Sequence, residues 1–172
     1  MLKNKIGVGL AVLGLLFLGQ GVARAEKLSS DDENFIIKAK LESKGEIDLG
    51  SIAQTNTDHK EVREVAEHLV DDHRKMDAEL DDIVHRHGIV LGKEEEDSAV
   101  KEHDVLVGLH GHDFDVEWVN DQLHRHEELL DQYKHAEDHA DNDKVKEYAK
   151  TYVETIRFHQ HKLEDLKRKI EG

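Results

Sequence analysis

Histidines are the residues of this chain whose type and placement could do chemistry. The chain has 14 histidines among its 172 residues and no cysteine. Without thiols, neither a thiolate metal site nor cysteine nucleophilic catalysis is available. Three histidines, His73, His126 and His159, stand in repeats of apolar residues spaced by three and four, where a leucine would be expected. An imidazole at such a buried position needs a hydrogen-bond partner or a metal ion.

The distance of these histidines from the predicted turns places them near the middle of a helical bundle. His73 follows the first predicted turn, and His126 and His159 lie on either side of the second. At about 1.5 Å per residue, the depths of His126 and His159 differ by only about one helical turn. We therefore expect the three side chains to point inward and to come within about 10 Å of one another.

Three carboxylates could join this cluster. Glu46 is the candidate fourth metal ligand, and Asp72 and Asp115 are further candidate ligands. Glu46 or Asp72 could instead orient an imidazole by a hydrogen bond. Imidazoles with a carboxylate suit Zn, Cu, Ni or Fe. The alternative is a metal-free layer of histidine–carboxylate hydrogen bonds that fixes the register of the helices. The residues by themselves leave both interpretations open.

Four amphipathic segments position these side chains. The periodicity predicts helices over residues 30–54, 59–87, 115–139 and 144–170. Asp115 is the predicted N-cap of the third helix. Short turns join the first and last pairs of helices, whereas residues 88–114 form a long crossover. This pattern predicts an all-α, antiparallel, ferritin-like four-helix bundle made of two helical hairpins joined by that crossover.

The first 25 residues have the features of a cleaved secretory signal peptide. A basic start precedes an apolar stretch, and Ala-Arg-Ala ends at Ala25. The bundle is then predicted to occupy residues 26–172. We expect an exported protein of the periplasm or cell envelope, with no transmembrane segment after cleavage.

The charge of the chain limits its partners. The formal net charge is −15, and loss of the first 25 residues makes it about −18, because they hold three basic residues and no acid. Such a surface repels nucleic acid and anionic lipid and attracts cations. The predicted partners are therefore metal cations and not nucleic acids, while the sequence indicates no particular protein partner.

Motifs of common enzyme classes are missing from the sequence. A ferritin-like di-iron oxidase needs Glu-x-x-His motifs on facing helices, and the chain contains none. It also lacks a Gly-x-Ser-x-Gly nucleophile motif and a phosphate-binding glycine loop. We therefore predict no catalytic residues.

Four stretches of the sequence together resemble a known family. They are "FIIKAKLESKGEIDLGSIA" (35–53), "EVREVAEHLVDDH" (61–73), "LVGLHGHDFDVEWVNDQLHRH" (106–126) and "VKEYAKTYVETIRFH" (145–159). The set resembles the exported bacterial family called domain of unknown function 4142, whose members are often labelled outer membrane proteins. The resemblance implies a ferritin-like bundle and an envelope location but no activity. Its most specific positions are Glu46, Asp72, His73, Phe114, Asp115, His126 and His159.

Two positions depart from the family's usual pattern. Arg125 precedes His126 where the family usually has Asp-His, and Glu154 stands where it usually has proline. The first departure weakens any role that would need two identical Asp-His pairs.

Two functions of different class follow from these observations. One is an exported bundle that binds or buffers a divalent transition metal through His73, His126, His159 and Glu46. The other is a metal-free envelope stress or interaction protein, in which the histidines are structural or respond to pH. A metal titration with a His126→Ala control would separate the two.

Overall fold

The protein is a bundle of four long helices. The computed structural model describes residues 27–92 and 104–172, so the predicted signal peptide lies outside the described residues. The helices are α1 (Ser30–Asn56), α2 (Lys60–His87), a short α3 (Asp104–Val107), α4 (Gly111–His139) and α5 (Asp143–Ile170). The described ranges contain no strand, as predicted. None of their helices combines the length and the apolar character needed to cross a membrane.

Hydrogen bonds at one end of the bundle join the start of α1 to the turn between α4 and α5. The Asp32 carboxylate accepts from the backbone N–H groups of Asp141 and Asn142, at 3.2 and 3.0 Å. We call this end the Asp32 end. It also holds the end of α2, because α2 turns back along α1 in the first hairpin.

Contacts at the opposite end join the first turn to the starts and ends of the other helices. Thr57, between α1 and α2, donates a hydrogen bond to Asp115 near the start of α4. Lys169 near the end of α5 pairs with Glu61 near the start of α2, at 2.8 Å. We call this end the Thr57 end. Helices α1 and α5 therefore run in one direction, and α2 and α4 run in the other.

The end of the first hairpin and the start of the second lie at opposite ends of the bundle. Helix α2 stops at the Asp32 end and α4 starts at the Thr57 end, about 40 Å away for helices of this length. The ferritin-like arrangement of two hairpins with one long crossover is thus confirmed.

Local sequence explains most of the helix ends. Ser29 caps α1 by accepting from the backbone N–H of Asp32 at 3.1 Å. Gly88 ends α2 in the left-handed conformation, with φ 67°, which glycine adopts at no steric cost. Asn142 caps α5 by accepting from the backbone N–H of Lys144 at 3.0 Å.

One predicted boundary is wrong. Helix α4 begins at Gly111 and is preceded by His110 as its N-cap residue, so the predicted crossover of residues 88–114 ends four residues early. Asp115 is therefore inside the helix and does not cap it. Its carboxylate binds the Thr57 hydroxyl, a partner 58 residues away in sequence, which no local pattern reveals.

The apolar core consists of two clusters with the three histidines between them. On α2, His73 lies between Leu69 of one cluster and Met76 of the other. His126 and His159 hold the corresponding places on α4 and α5. The helices therefore place a layer of imidazoles at mid-bundle, with hydrocarbon above and below it.

Helix α1 differs from the other three because its inner face is partly polar. Lys40 is 5% exposed, and its ammonium group pairs with Asp77 and Asp81 of α2 at 2.7 and 2.5 Å. Further along the helix, Ser43 and Glu46 are also buried. The partners of Lys40 come from α2, so this part of α1 depends on that helix for its charge pairing.

Candidate metal centre

The three imidazoles come from three different helices and meet in the core. His73 of α2, His126 of α4 and His159 of α5 are each 0% exposed. Their ring centroids are 5.7 Å apart for His73 and His126, 5.5 Å for His73 and His159, and 5.3 Å for His126 and His159. One nitrogen from each ring lies within 4.8 Å of the others.

Hydrogen bonds to acceptors determine which nitrogen carries the proton in two of the rings. His126 Nδ1 lies 2.9 Å from the backbone carbonyl oxygen of Gln122. A carbonyl can only accept, so Nδ1 donates and Nε2 keeps a lone pair. His159 Nε2 lies 3.2 Å from Asp72 Oδ2. The carboxylate likewise accepts, so the lone pair of His159 is on Nδ1.

These two lone pairs face each other. His126 Nε2 and His159 Nδ1 are 3.3 Å apart, and neither has a proton to share in this arrangement. His73 adds two more unsatisfied polar atoms, because neither of its ring nitrogens has a hydrogen-bond partner among the described residues. Such a deficit is costly in a core unless another group binds the lone pairs.

The spacing fits coordination by a common metal ion. Two imidazole nitrogens at about 2.0–2.1 Å from one tetrahedral zinc ion are about 3.3–3.4 Å apart. The contact of 3.3 Å between His126 and His159 has this length. These two neutral nitrogens already have the separation of two ligands of one ion, and the third donor, from His73, lies within 4.8 Å of both.

At neutral pH no proton bridges the facing nitrogens of His126 and His159. Burial lowers the pKa of His126 to about 3, and positive charge on His159 would lower it further, against the Gln122 carbonyl, which raises it. Burial also holds the pKa of His73 well below its usual value. Burial lowers the pKa of His159 too, although its hydrogen bond to Asp72 opposes the effect. All three rings are therefore neutral near pH 7.

Asp72 lies behind the cluster and orients one of its rings. Burial alone would raise the pKa of this carboxyl, but hydrogen bonds from Lys75 and His159 outweigh burial and lower it. Asp72 is therefore an anion that fixes the orientation of His159 and strengthens it as a donor, as carboxylates do behind metal-binding histidines.

Glu46 is buried near the cluster but is not grouped with it. It is 2% exposed, and burial raises its pKa to about 8, with the positive charge of Arg125 opposing the rise. Gln122, one turn before His126 on α4, also lowers this pKa by its side-chain amide, although the contact falls short of hydrogen-bond geometry. Glu46 is thus largely protonated near pH 7, and its oxygens do not lie within 4.8 Å of all three imidazole donors.

Asp115 is far from the histidines. It precedes His126 by 11 residues on α4, which is about 16 Å along the helix. Its carboxylate is bound to Thr57 at the Thr57 end. The structure therefore does not bring this candidate ligand to the centre.

Two residues near the centre were not expected from the sequence. Gln122 is fully buried although it lies outside the predicted apolar repeat. His68 forms a second group with Asp72 and His159, whose donor atoms also lie within 4.8 Å of one another. The spacing of four between His68 and Asp72 on one helix is the signal that could have identified this pair.

The chain belongs to the family described as "Domain of unknown function (DUF4142)", which matches residues 18–166. This confirms the family expected from the sequence. No curated protein matches the chain.

Two solved structures have the same fold. One is a DUF305 protein of Streptomyces coelicolor, named as a candidate secreted protein, with a TM-score of 0.72 and 15% identity over 83% of this chain and 95% of that one. The other is a DUF305 fragment from Deinococcus radiodurans, with a TM-score of 0.71 and 15% identity over 83% and 99% of the two chains. At this identity the likeness concerns the fold alone.

Proposed function

We propose that this protein binds one divalent transition metal ion in the core of its bundle, through His73, His126 and His159. The observation that carries the proposal is the pair of lone pairs on His126 and His159, which face each other at 3.3 Å without a proton between them. A single metal ion can accept both lone pairs at once. The unpartnered His73 then supplies the third donor.

The donor set favours zinc, copper, nickel or iron over calcium and magnesium. Imidazole nitrogen suits the first group, whereas calcium and magnesium prefer oxygen. A tetrahedral ion would leave a fourth position for water or for an oxygen ligand. Helix α1 faces this core with two buried oxygens, Ser43 Oγ and Glu46 Oε2, that have no hydrogen-bond partner among the described residues.

Binding is a better role for this centre than catalysis. All three rings are 0% exposed, so a substrate could reach a bound ion only after the helices separate. We propose buffering or storage of the ion as the activity of the site. We further propose an exported domain over residues 26–172, supported by the signal-peptide features of residues 1–25 and by the secreted description of the Streptomyces coelicolor neighbour.

Calorimetric titration of the purified mature chain with Zn²⁺, Cu²⁺ and Ni²⁺ tests the proposal. The expected result is one tight equivalent that is lost, or weakened about 100-fold or more, in a His126→Leu variant. Tyr133→Phe is the matched control, because it alters a buried polar residue on the same helix without touching the imidazoles. If no metal binds, the protein is the metal-free envelope protein instead. If both variants bind as the wild type does, the ion binds elsewhere and the histidine centre is overturned.

A further inference from the structure

The inner centre is closed to solvent, which raises the question of how an ion could reach it. His159 points one ring nitrogen, Nδ1, at His126 in the core and the other, Nε2, at Asp72. Asp72 is the neighbour of His73 in sequence, so α2 places one residue on each side of the His159 ring. The ring therefore separates the core from the surface.

A second donor cluster lies on the outer side of this ring. Asp72 Oδ2 is 3.2 Å from His159 Nε2 and 3.4 Å from His68 Nε2. The other carboxylate oxygen, Oδ1, is bound by Lys75 at 2.8 Å, which leaves Oδ2 for a cation. These separations match those between ligands of one metal ion, and the three donor atoms lie within 4.8 Å of one another.

The outer cluster is open to solvent at one residue. The side chain of His68 is 46% exposed, that of Asp72 is 17% exposed and that of His159 is 0% exposed. His68 also lines a surface groove of about 230 Å³ between α2 and α5. Exposure thus falls stepwise from the groove to the core along three donors in contact.

We propose that His68, Asp72 and His159 form an outer metal site, which captures a divalent transition metal ion and passes it to the inner centre. A neutral imidazole has one lone pair at a time, on Nδ1 or on Nε2. His159 can therefore serve the outer site or the inner site, but not both. The two sites are filled in turn, and one chain holds one ion. This inference deepens the proposed function and rests on it for the destination of the ion.

A His68→Gln variant tests the capture step. Stopped-flow mixing with Cu²⁺ follows uptake by the quenching of Trp118, the single tryptophan of the chain, two turns from His126 on α4. The expected result is filling of the inner centre that is slower by about tenfold, with an equilibrium affinity close to that of the wild type. The matched control is His161→Gln, an exposed histidine of α5 that also lies beside an acid, Glu164, at 3.7 Å.

The outcomes separate this inference from the proposed function. Equal uptake rates in wild type and His68→Gln, with one tight ion in each, overturn the outer site and leave the inner centre in place. Two tight ions on one wild-type chain overturn the sharing of His159. If the inner centre binds nothing, a His126→Leu chain that takes up Cu²⁺ weakly, and loses this uptake on adding His68→Gln, still supports the outer site. A His126→Leu chain whose uptake is unchanged by His68→Gln contradicts it.

Discussion

Two buried polar layers lie about two helical turns apart along α4, and only one of them completes its hydrogen bonds. In the tyrosine layer, the Tyr133 hydroxyl lies 3.2 Å from that of Tyr148, which donates to the backbone carbonyl of Met76 at 3.2 Å. Burial raises the pKa of both phenols, so both keep their protons. The two hydroxyl groups thus form a chain in which each donor has an acceptor.

The histidine layer lacks such a chain of hydrogen bonds. Met76 follows His73 by three residues on α2, so the same helix serves both layers. In the histidine layer, however, the lone pairs of His126 and His159 oppose each other, and His73 has no hydrogen-bond partner among the described residues. In the tyrosine layer, the hydroxyl protons are enough to satisfy the buried polar groups. The unpaired nitrogens of the histidine layer are, in contrast, of the kind that a metal ion would bind.

The largest expected effect that separates the layers is the pH dependence of stability between pH 7 and pH 5, to which the histidine layer contributes and the tyrosine layer does not. Metal-bound and buried histidines have folded pKa values below about 6.5, so the unfolded chain takes up more protons as pH falls. Their contribution is present above about pH 6.5 and is lost below it, by up to about 1.4 kcal/mol per pH unit for each ring. We expect the melting temperature of the zinc-loaded protein to fall steeply between pH 7 and pH 5, as measured by calorimetry.

The metal-free protein should respond less. Burial raises the pKa of Glu46 to about 8 and that of Glu42 to about 7. Because these folded values lie above the unfolded value, the folded chain binds more protons, and stability rises as pH falls through this range. The carboxyls therefore offset the histidines in the metal-free protein, whereas a bound ion would lower the pKa of Glu46 and remove part of this offset. We therefore expect a shallower profile after chelation. Profiles of equal slope with zinc and with chelator would show that no ion binds close enough to change the ionisation of Glu46.

A His73→Leu substitution should have opposite effects with and without metal. Leucine has a similar volume and removes two unpartnered nitrogens, so the metal-free protein should gain about 2 kcal/mol. With zinc present the variant should lose the stabilisation that wild type gains, which is about 2.7 kcal/mol at a free metal concentration of 100 times Kd. Urea unfolding in both conditions measures the change, and destabilisation of the metal-free protein would mean that His73 has a structural partner.

The contribution of the tyrosine layer to stability should not depend on metal. Tyr148→Phe leaves the Tyr133 hydroxyl without its acceptor and frees the Met76 carbonyl. We expect a loss of about 1 kcal/mol that is the same with zinc and with chelator. The measurement is again urea unfolding. A loss that depends on zinc would mean that the two layers are coupled and that the comparison between them fails.

The smallest effect is expected at Glu46, next to the histidine layer. A bound divalent ion would favour the charged carboxylate, so Glu46→Gln should weaken zinc binding by several-fold. In the metal-free protein the carboxyl is largely protonated at pH 7, so the amide should leave stability there almost unchanged. Competition with a zinc indicator measures the affinity, and an affinity equal to that of wild type would exclude Glu46 from the centre.

The sequence was informative where burial follows a regular repeat. His73, His126 and His159 interrupt apolar repeats, so their inward direction could be predicted from spacing. Gln122 could not be predicted, because α4 buries a stripe shifted toward Trp118, and Leu123 is only partly buried.

Contacts between residues far apart in the sequence could not be predicted either. The partner of Asp115 is Thr57, 58 residues away, and the interaction between His159 and Asp72 spans 87 residues. Sequence spacing along one helix contains no signal for such pairs. The fold class was therefore predictable, whereas the tautomers of the imidazoles and the outer position of His68 required three dimensions.

The hydrogen bonds at the Asp32 end bear on when the chain can fold during its synthesis. Helix α1 leaves the ribosome first, but the N–H groups that bind Asp32 are 109 and 110 residues further along. The partners of buried Lys40 follow it by 37 and 41 residues. We therefore expect nascent α1 to stay open until the start of α5 has emerged. A chain that closes so late would still be unfolded enough to pass through an export channel, which the proposed export would require.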